Sequence, residues 1–283
     1  MKHDRTINPA EAMVRIWRLS AALRISLIVH LCSAVLAAVN TDLWRWALSM
    51  VVFNHAVLTA GVFWPRGRML GPNMTLLPAM AIRRNEISLT FDDGPDPGIT
   101  PQILDMLDQH DAKASFFCIA EKVFEFPELA REIVRRGHSI ENHSNSHPYN
   151  FALLGWDGLG REISSAQETI RVITGVSPSF FRAPMGFRSP FLAPVIEYTG
   201  LQYVTWTRRG YDAFEQNPER ILKRLLRGIA AGDILLMHDG RSHQPDGSAT
   251  VVLEALPRLL DHMSTLGLKS VSLPAALKHV API

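Results

Sequence analysis

Cysteine is almost missing from this chain of 283 residues: Cys32 and Cys118 are all it has. Two thiols in such different contexts exclude a disulfide framework and are too few for a thiolate zinc site, so both read as small buried residues. Net charge is almost missing too. Twenty-nine basic side chains against 27 acidic ones leave a formal +2, which gives no ground for a nucleic-acid partner, because such proteins carry a strongly basic face. No internal repeat and no low-complexity tract interrupts the chain. Its length suits one sizeable catalytic domain with a short appendage rather than two ordinary domains.

Long apolar runs, by contrast, are present, and both lie near the start. Residues 19–39 read LSAALRISLIVHLCSAVLAAV and residues 46–64 read WALSMVVFNHAVLTAGVFW. Each approaches the roughly 20 residues needed to cross a bilayer core. Arg24 near one end can snorkel, and Trp44, Trp46 and Trp64 fall where amphipathic rings favour the interface. A short joint with the polar Asn40, Thr41 and Asp42 separates the runs, and no small-residue cleavage site follows the first, so the expectation is a transmembrane helical hairpin rather than a cleaved signal. Lys2, Arg5, Arg15 and Arg18 precede it and Arg66, Arg68, Arg83 and Arg84 follow it. The positive-inside tendency then puts both ends, and the domain after them, on the cytoplasmic side of an inner (cytoplasmic) membrane. The expected division is residues 1–80 for hairpin and linker and 81–283 for the catalytic domain.

Beyond a linker punctuated by Pro and Gly, strand-like and helix-like pieces alternate. EISLTF, ASFFCIA, HSIENHS, FFRAP, LQYVTWT, GDILLMH and LKSVSL read as strands, with helical stretches between them. Thr100 before Pro101 suits a capped helix, and Pro127 opens another that Gly137 ends. Repeated β-then-α units of this length predict an α/β fold with a parallel sheet covered by helices and curled toward a barrel. In such barrels the chemistry gathers at the C-terminal ends of the strands.

Five polar clusters fall at those ends: Asp92-Asp93-Gly94-Pro95; His143 through His147; Arg182-Ala183-Pro184; Arg208 through Asp212; and His238-Asp239-Gly240. Singly, each has an ordinary explanation. Paired aspartates before Gly-Pro suit a turn, two histidines four apart are often merely solvated, and a histidine ending an apolar run is commonly a hydrogen-bonded core residue. Together they point to a site. His143 and His147 can face one cation, and a carboxylate beside them completes a two-histidine, one-carboxylate set with positions left open. Arg182 follows Phe180 and Phe181, and a guanidinium buried there needs a carboxylate partner.

In this order the motifs TFDDGP (residues 90–95), HSNSHP (143–148), FRAPMG (181–186) and LLMH (235–238) resemble those of the polysaccharide deacetylases with a NodB-homology domain, carbohydrate esterase family four. The resemblance covers about residues 86–273. It implies a distorted (β/α) barrel of the NodB type, with fewer than eight complete units, and a divalent metal, usually Zn2+. By that resemblance Asp92 is the catalytic base, Asp93, His143 and His147 are the metal ligands, and Arg182 holds the base. His238 is the general acid and Asp212 its orienting partner. Leu236 belongs to the apolar pocket for the acyl methyl, and Pro184 and Met185 face the substrate, with the Met185 backbone N–H toward the oxyanion. The implied reaction removes an N-acyl group, acetyl in the family, from an amino sugar.

Two positions depart from the family pattern. Ala213 stands where a Trp follows the Asp, and Met185 replaces an aromatic, so sugar-facing rings are lost. Arg188, Arg208 and Arg209 are then candidates to line the rim and favour an anionic group such as phosphate, which with a membrane hairpin suggests a lipid-linked saccharide. Three other readings stay open: a deformylase or amidase acting on a small amide, a catalytically silent membrane-tethered glycan-binding protein, and a membrane subunit carrying a passenger domain.

Overall fold

The computed structural model describes residues 19–240 and 251–278. Lys2, Arg5, Arg15 and Arg18, on which part of the orientation argument stands, lie outside the described residues.

Eight strands form one sheet: β1 Glu86–Asp92, β2 Ala114–Cys118, β3 Ser139–Asn142, β4 Phe180–Phe181, β5 Gln202–Tyr203, β6 Arg208–Arg209, β7 Ile234–His238 and β8 Lys269–Ser270. They run in the order β5-β4-β3-β2-β1-β7-β6, with β8 beside β1. Every pairing is parallel, as crossover helices require. The expected α/β architecture is therefore present as a curled parallel sheet, a half-barrel. Its two edges are parts of one segment: β5 and β6 flank residues 204–207, so the strand expected over LQYVTWT, residues 201–207, forms only at Gln202–Tyr203, and β6 begins just beyond it. Met74 explains the break. Its N–H donates to the Tyr203 carbonyl and its carbonyl accepts from Thr205 N–H, both at 3.0 Å, so the linker fills the gap in the curl.

The two-residue period of the strands sorts their side chains. Ile87, Leu89 and Phe91 of β1, Ala114, Phe116 and Cys118 of β2, and Leu235 and Met237 of β7 enter the main apolar cluster under the outer helices. Phe91 and Phe116 stack there with centroids 5.1 Å apart. Burying such a ring contributes about 1.5–3 kcal/mol. The alternate residues, Thr90, Asp92, Phe117, Leu236 and His238, are left for the other face of the sheet. One alternation thus builds the core and aims the polar strand ends.

Ahead of the sheet stand two helices, α1 Ala21–Val39 and α2 Trp44–Val62, joined by a short 3-10 turn, Thr41–Leu43. They pack on each other: Asn54 Nδ2 donates to Ser26 Oγ at 2.7 Å, and the rings of His30 and His55 meet edge to face at 5.1 Å. What they bury is small or polar, Ser26 and Ser33 from α1 and Ala47 and Gly61 from α2, beside Leu23. What they expose is large and apolar, including Ile25, Leu31, Val35, Val52 and Phe53. Among the described residues α1 is the one helix long and apolar enough to cross a membrane, with a mean hydropathy of 2.1. The second run falls short because Arg45, Asn54 and His55 sit within its helix.

Candidate active site

At the C-terminal end of β1 the chain leaves the sheet through Asp93 in the left-handed region, φ +75°. Ser144, His147, Met185 and Tyr211, each on a loop leaving a strand, are also left-handed, with φ between 52° and 70°. Non-glycine residues in that region cost of order 1–3 kcal/mol each and persist where the surroundings over-determine them. The surroundings here do so. Glu162, from the helix Trp156–Thr174, accepts the N–H groups of Asn145 and Ser146 at 3.1 and 3.0 Å and the Ser146 hydroxyl at 3.0 Å. Asn142 Oδ1 accepts the Ser144 N–H, and Ser144 Oγ accepts the His147 N–H. Lys122 Nζ donates to the carbonyls of Asp93 and Gly240 at 2.7 and 3.0 Å. At Gly240 a Cβ would lie 2.0 Å from the Asp93 carbonyl oxygen, so only glycine lets these two loops meet.

The result brings Asp93, His143 and His147 together. Nε2 of His143 lies 3.3 Å and Nε2 of His147 3.2 Å from Asp93 Oδ1, and one ligand atom from each residue falls within 4.8 Å of the others. His143 Nδ1 lies 2.9 Å from the Arg182 carbonyl. A carbonyl only accepts, so Nδ1 carries the proton and Nε2 keeps its lone pair for a cation, the usual way a ligand imidazole is oriented. Burial pushes the Asp93 carboxyl up, but whenever His143, His238 or His147 carries a second proton, its hydrogen bond or charge, that of His143 first, holds the carboxyl well below the usual carboxylate range. Burial and the neighbouring His143 lower His147. An ionised carboxylate with a neutral His147 is the state that binds metal, so the residues fit a divalent cation.

Beside this cluster Asp92 is fixed by Arg182. The guanidinium donates to Asp92 Oδ1 at 2.6 Å, to Thr90 Oγ1 at 2.9 Å and to the Thr205 carbonyl at 2.9 Å, with Phe117 stacked 4.1 Å beneath it. Arg182 is fully buried, so this ion pair is shielded from water. Directly across one rung of the sheet, Asp92 is in register with His238 of β7. Asp212 grips His238 twice: Oδ2 accepts its backbone N–H at 2.7 Å and Oδ1 lies 3.0 Å from its Nδ1. That contact orients the ring and leaves Nε2 as the second proton position. Burial lowers the His238 pKa, but Asp212 and then Asp93 and Asp92 more than offset it, so the imidazole is held above its ordinary value.

Asp92, Asp93, His143, His147 and His238 line a cavity of about 270 Å³, with Arg182 and Asp212 behind them. Of the residues expected at the substrate, Met185, Leu236 and Arg209 line it. Three others belong elsewhere. Pro184 is buried in the turn Pro184–Gly186 and is not part of the lining. Arg208 is turned to Asp233, donating to Oδ2 at 2.6 Å, and to the carbonyls of Arg227 and Gly228. Arg188 is buried over the Tyr203 ring and donates to the Gly71 carbonyl at 3.0 Å, so it lines no rim. Thr100, expected as a helix cap, instead donates to Asp239 at 2.7 Å and accepts from the Asp96 N–H.

The lining also holds residues that motif reading passed over: Pro65, Phe187, Trp206 and Phe214. Ala213 is there too, but the rings lost at positions 185 and 213 are replaced by Trp206, two residues before Arg208, and by Phe214, next along the chain. A Trp at the end of an extended segment beside a polar cluster is a signal the sequence did carry.

The parallel half-barrel thus carries, at one end of its strands, an aspartate–arginine pair, an aspartate–histidine pair and a triad able to hold a cation. The family model for polysaccharide deacetylase matches residues 81–204. The chain is 32% identical over 190 residues to the peptidoglycan-N-acetylglucosamine deacetylase of Bacillus cereus, covering 67% of each protein. It is 34% identical over 183 residues to the chitooligosaccharide deacetylase of a Bradyrhizobium, covering 62% of this chain and 83% of that one. The solved structure of a peptidoglycan N-acetylglucosamine deacetylase superposes with a TM-score of 0.66 at 30% identity, over 72% of this chain and 92% of that one. The chain belongs to the polysaccharide deacetylase family.

Proposed function

We propose that this protein is a metal-dependent N-deacetylase of a membrane-borne amino sugar. One observation carries the reading: Asp92 and His238, a base and an acid in register on neighbouring strands, flank the Asp93–His143–His147 cluster around a single cavity. A divalent cation, zinc by its nitrogen and oxygen donor set, would be held by Asp93, His143 and His147 and supplies a lowered pKa for bound water and polarisation of the amide carbonyl. Asp92, oriented by Arg182, accepts the proton of the attacking water. The new C–O bond gives a tetrahedral oxyanion, toward which the Met185 backbone N–H is the nearby donor of this chain. His238, protonated and aligned by Asp212, gives its proton to the leaving nitrogen as the C–N bond breaks. Amide and water thereby become carboxylate and free amine. Leu236 supplies an apolar wall suited to a methyl group.

Two features support a membrane location: the hydropathy of α1 and the inverted packing of the helix pair, small and polar inside, large and apolar outside. A transmembrane hairpin with the catalytic domain on the cytoplasmic side of an inner membrane fits Arg66, Arg68, Arg83 and Arg84, which follow α2. A lipid-linked or phosphate-bearing saccharide fits that placement. The retained base, acid and cation-binding triad weigh against a silent glycan-binding protein, which needs none of them.

Purified protein, stripped of metal by a chelator and reloaded, tests the reading when incubated with N-acetylated saccharides. Acetate release that disappears and returns with the metal is expected. Formate released from the N-formylated counterparts, with the N-acetylated saccharides left intact, would favour the deformylase reading, and release of neither acyl group, with metal restored, would overturn deacylation.

A further inference from the structure

The helix pair does not merely precede the catalytic domain; the segment leaving α2 forms part of the cavity wall. Three residues beyond Val62, Pro65 lines the cavity with Asp92, His238 and the cation-binding triad. The junction is fixed from both sides. The Val62 carbonyl accepts the Arg188 N–H at 3.3 Å, and Phe63 meets Phe187, another lining residue, edge to face at 4.9 Å. Buried Asn73 donates to the carbonyls of Pro65 and Gly67 at 2.8 and 3.1 Å and accepts from Thr205 at 3.1 Å, tying the helix end to the segment that carries Trp206. Phe63 and Trp64 nonetheless stay more than half exposed, at 59% and 64%, as do Val52 and Phe53 of the helix before them. Phe214, at 74%, is exposed at the lining as well.

On the same lining lies one cation of the arginine cluster. Arg209 is held by rings, its guanidinium carbon 5.1 Å from the Trp206 centroid and 5.0 Å from that of Tyr211, and its Nε is buried without a hydrogen-bond partner. A guanidinium held on aromatic faces keeps its forked donors for an anion, and phosphate matches that fork.

We propose that the substrate is an N-acylated amino sugar joined through a phosphate to a lipid, with the phosphate on Arg209 and the lipid lying against Phe63, Trp64 and α2. This rests on the deacetylase reading and names what the site selects. Arg209 shares the cavity lining with Pro65 and Phe187, and Phe63 and Trp64 directly precede Pro65, so the sugar is held by its reducing-end phosphate while the lipid remains in the bilayer. A free polymer would use neither contact.

Four probes separate the contributions for the full-length protein in detergent, loaded with metal: a polyisoprenyl-diphosphate-linked N-acetylglucosamine, the neutral dodecyl glycoside of N-acetylglucosamine, water-soluble N-acetylglucosamine 1-phosphate, and N-acetylchitobiose. The expected kcat/KM for acetate release is highest on the first, by about tenfold or more over each of the others. Arg209→Gln reduces the preference for the diphosphate-linked lipid over the neutral glycoside by about tenfold. Arg209→Lys keeps part of that preference, and Arg208→Gln, outside the cavity, keeps all of it. Trp64→Glu lowers the ratio of lipid-linked to soluble phosphate turnover. Equal turnover of chitobiose and the lipid diphosphate, or equal turnover of the lipid diphosphate and the soluble 1-phosphate, would overturn the proposal while leaving deacetylation intact. No acetate from any probe would instead remove the deacetylase reading beneath it.

Discussion

The two parts of this molecule are packed by opposite rules. The half-barrel buries Phe91, Phe116 and Leu89 beneath its helices and keeps ions at one end of its strands. The helix pair buries Ser26, Ser33 and Ala47 and turns Leu31, Val35 and Phe53 outward. Apolar burial drives the first; close approach of small side chains and a Ser26–Asn54 hydrogen bond hold the second. The difference teaches that one chain follows two packing rules, and the cavity lies where the two parts adjoin, between the strand ends and Pro65 on the segment leaving α2.

Changes at the barrel end should dominate activity and leave the helix pair indifferent. The largest effect is expected from His238→Ala or Asp92→Asn, each lowering kcat by about 10²–10⁴-fold in a metal-loaded enzyme, as measured by acetate release. A loss below tenfold would mean that proton transfer is carried elsewhere. Next comes Glu162→Gln. It contacts no ligand directly but holds the loop of His143 and His147, so metal affinity should fall about 10–100-fold in a competition titration, with kcat at saturating metal much less affected.

Asp212→Asn sharpens the acid's role through pH. His238 must be protonated to donate, so activity is lost as pH rises through its pKa, and Asp212 holds that pKa above the ordinary histidine value. The neutral variant should move the alkaline limb of the pH–rate profile to lower pH. An unmoved limb would assign it to another group. The smallest effect belongs to the other region: Asn54→Leu removes an interhelical hydrogen bond worth about 0.6 kcal/mol and should slightly weaken helix association, read by thermal unfolding in detergent, without altering kcat.

Much of this arrangement was legible before any coordinates. Asp92 and His238 end their strands, Asp93, His143 and Arg182 come next after theirs, His147 and Asp212 sit on the loops that follow, and parallel strands bring those ends to one side; the resemblance to the family supplied their expected roles. The lining was less legible. Arg208 and Arg209 are adjacent and chemically identical, yet alternation along an extended segment sends one to Asp233 and the other to the cavity. Pro65 is invisible to motif reading, since its position depends on how the linker returns across the sheet through Asn73 and Met74. Glu162 acts through a loop 16 and 17 residues away in sequence, a tie that spacing alone does not display.

Metal content and acetate release, measured on the same samples of wild type and His147→Ala, test the central claim most directly. One divalent ion per wild-type chain, its removal and restoration matched by loss and return of turnover, and little of either in the variant, is the result expected. Acetate released at the wild-type rate by fully chelated protein would contradict it.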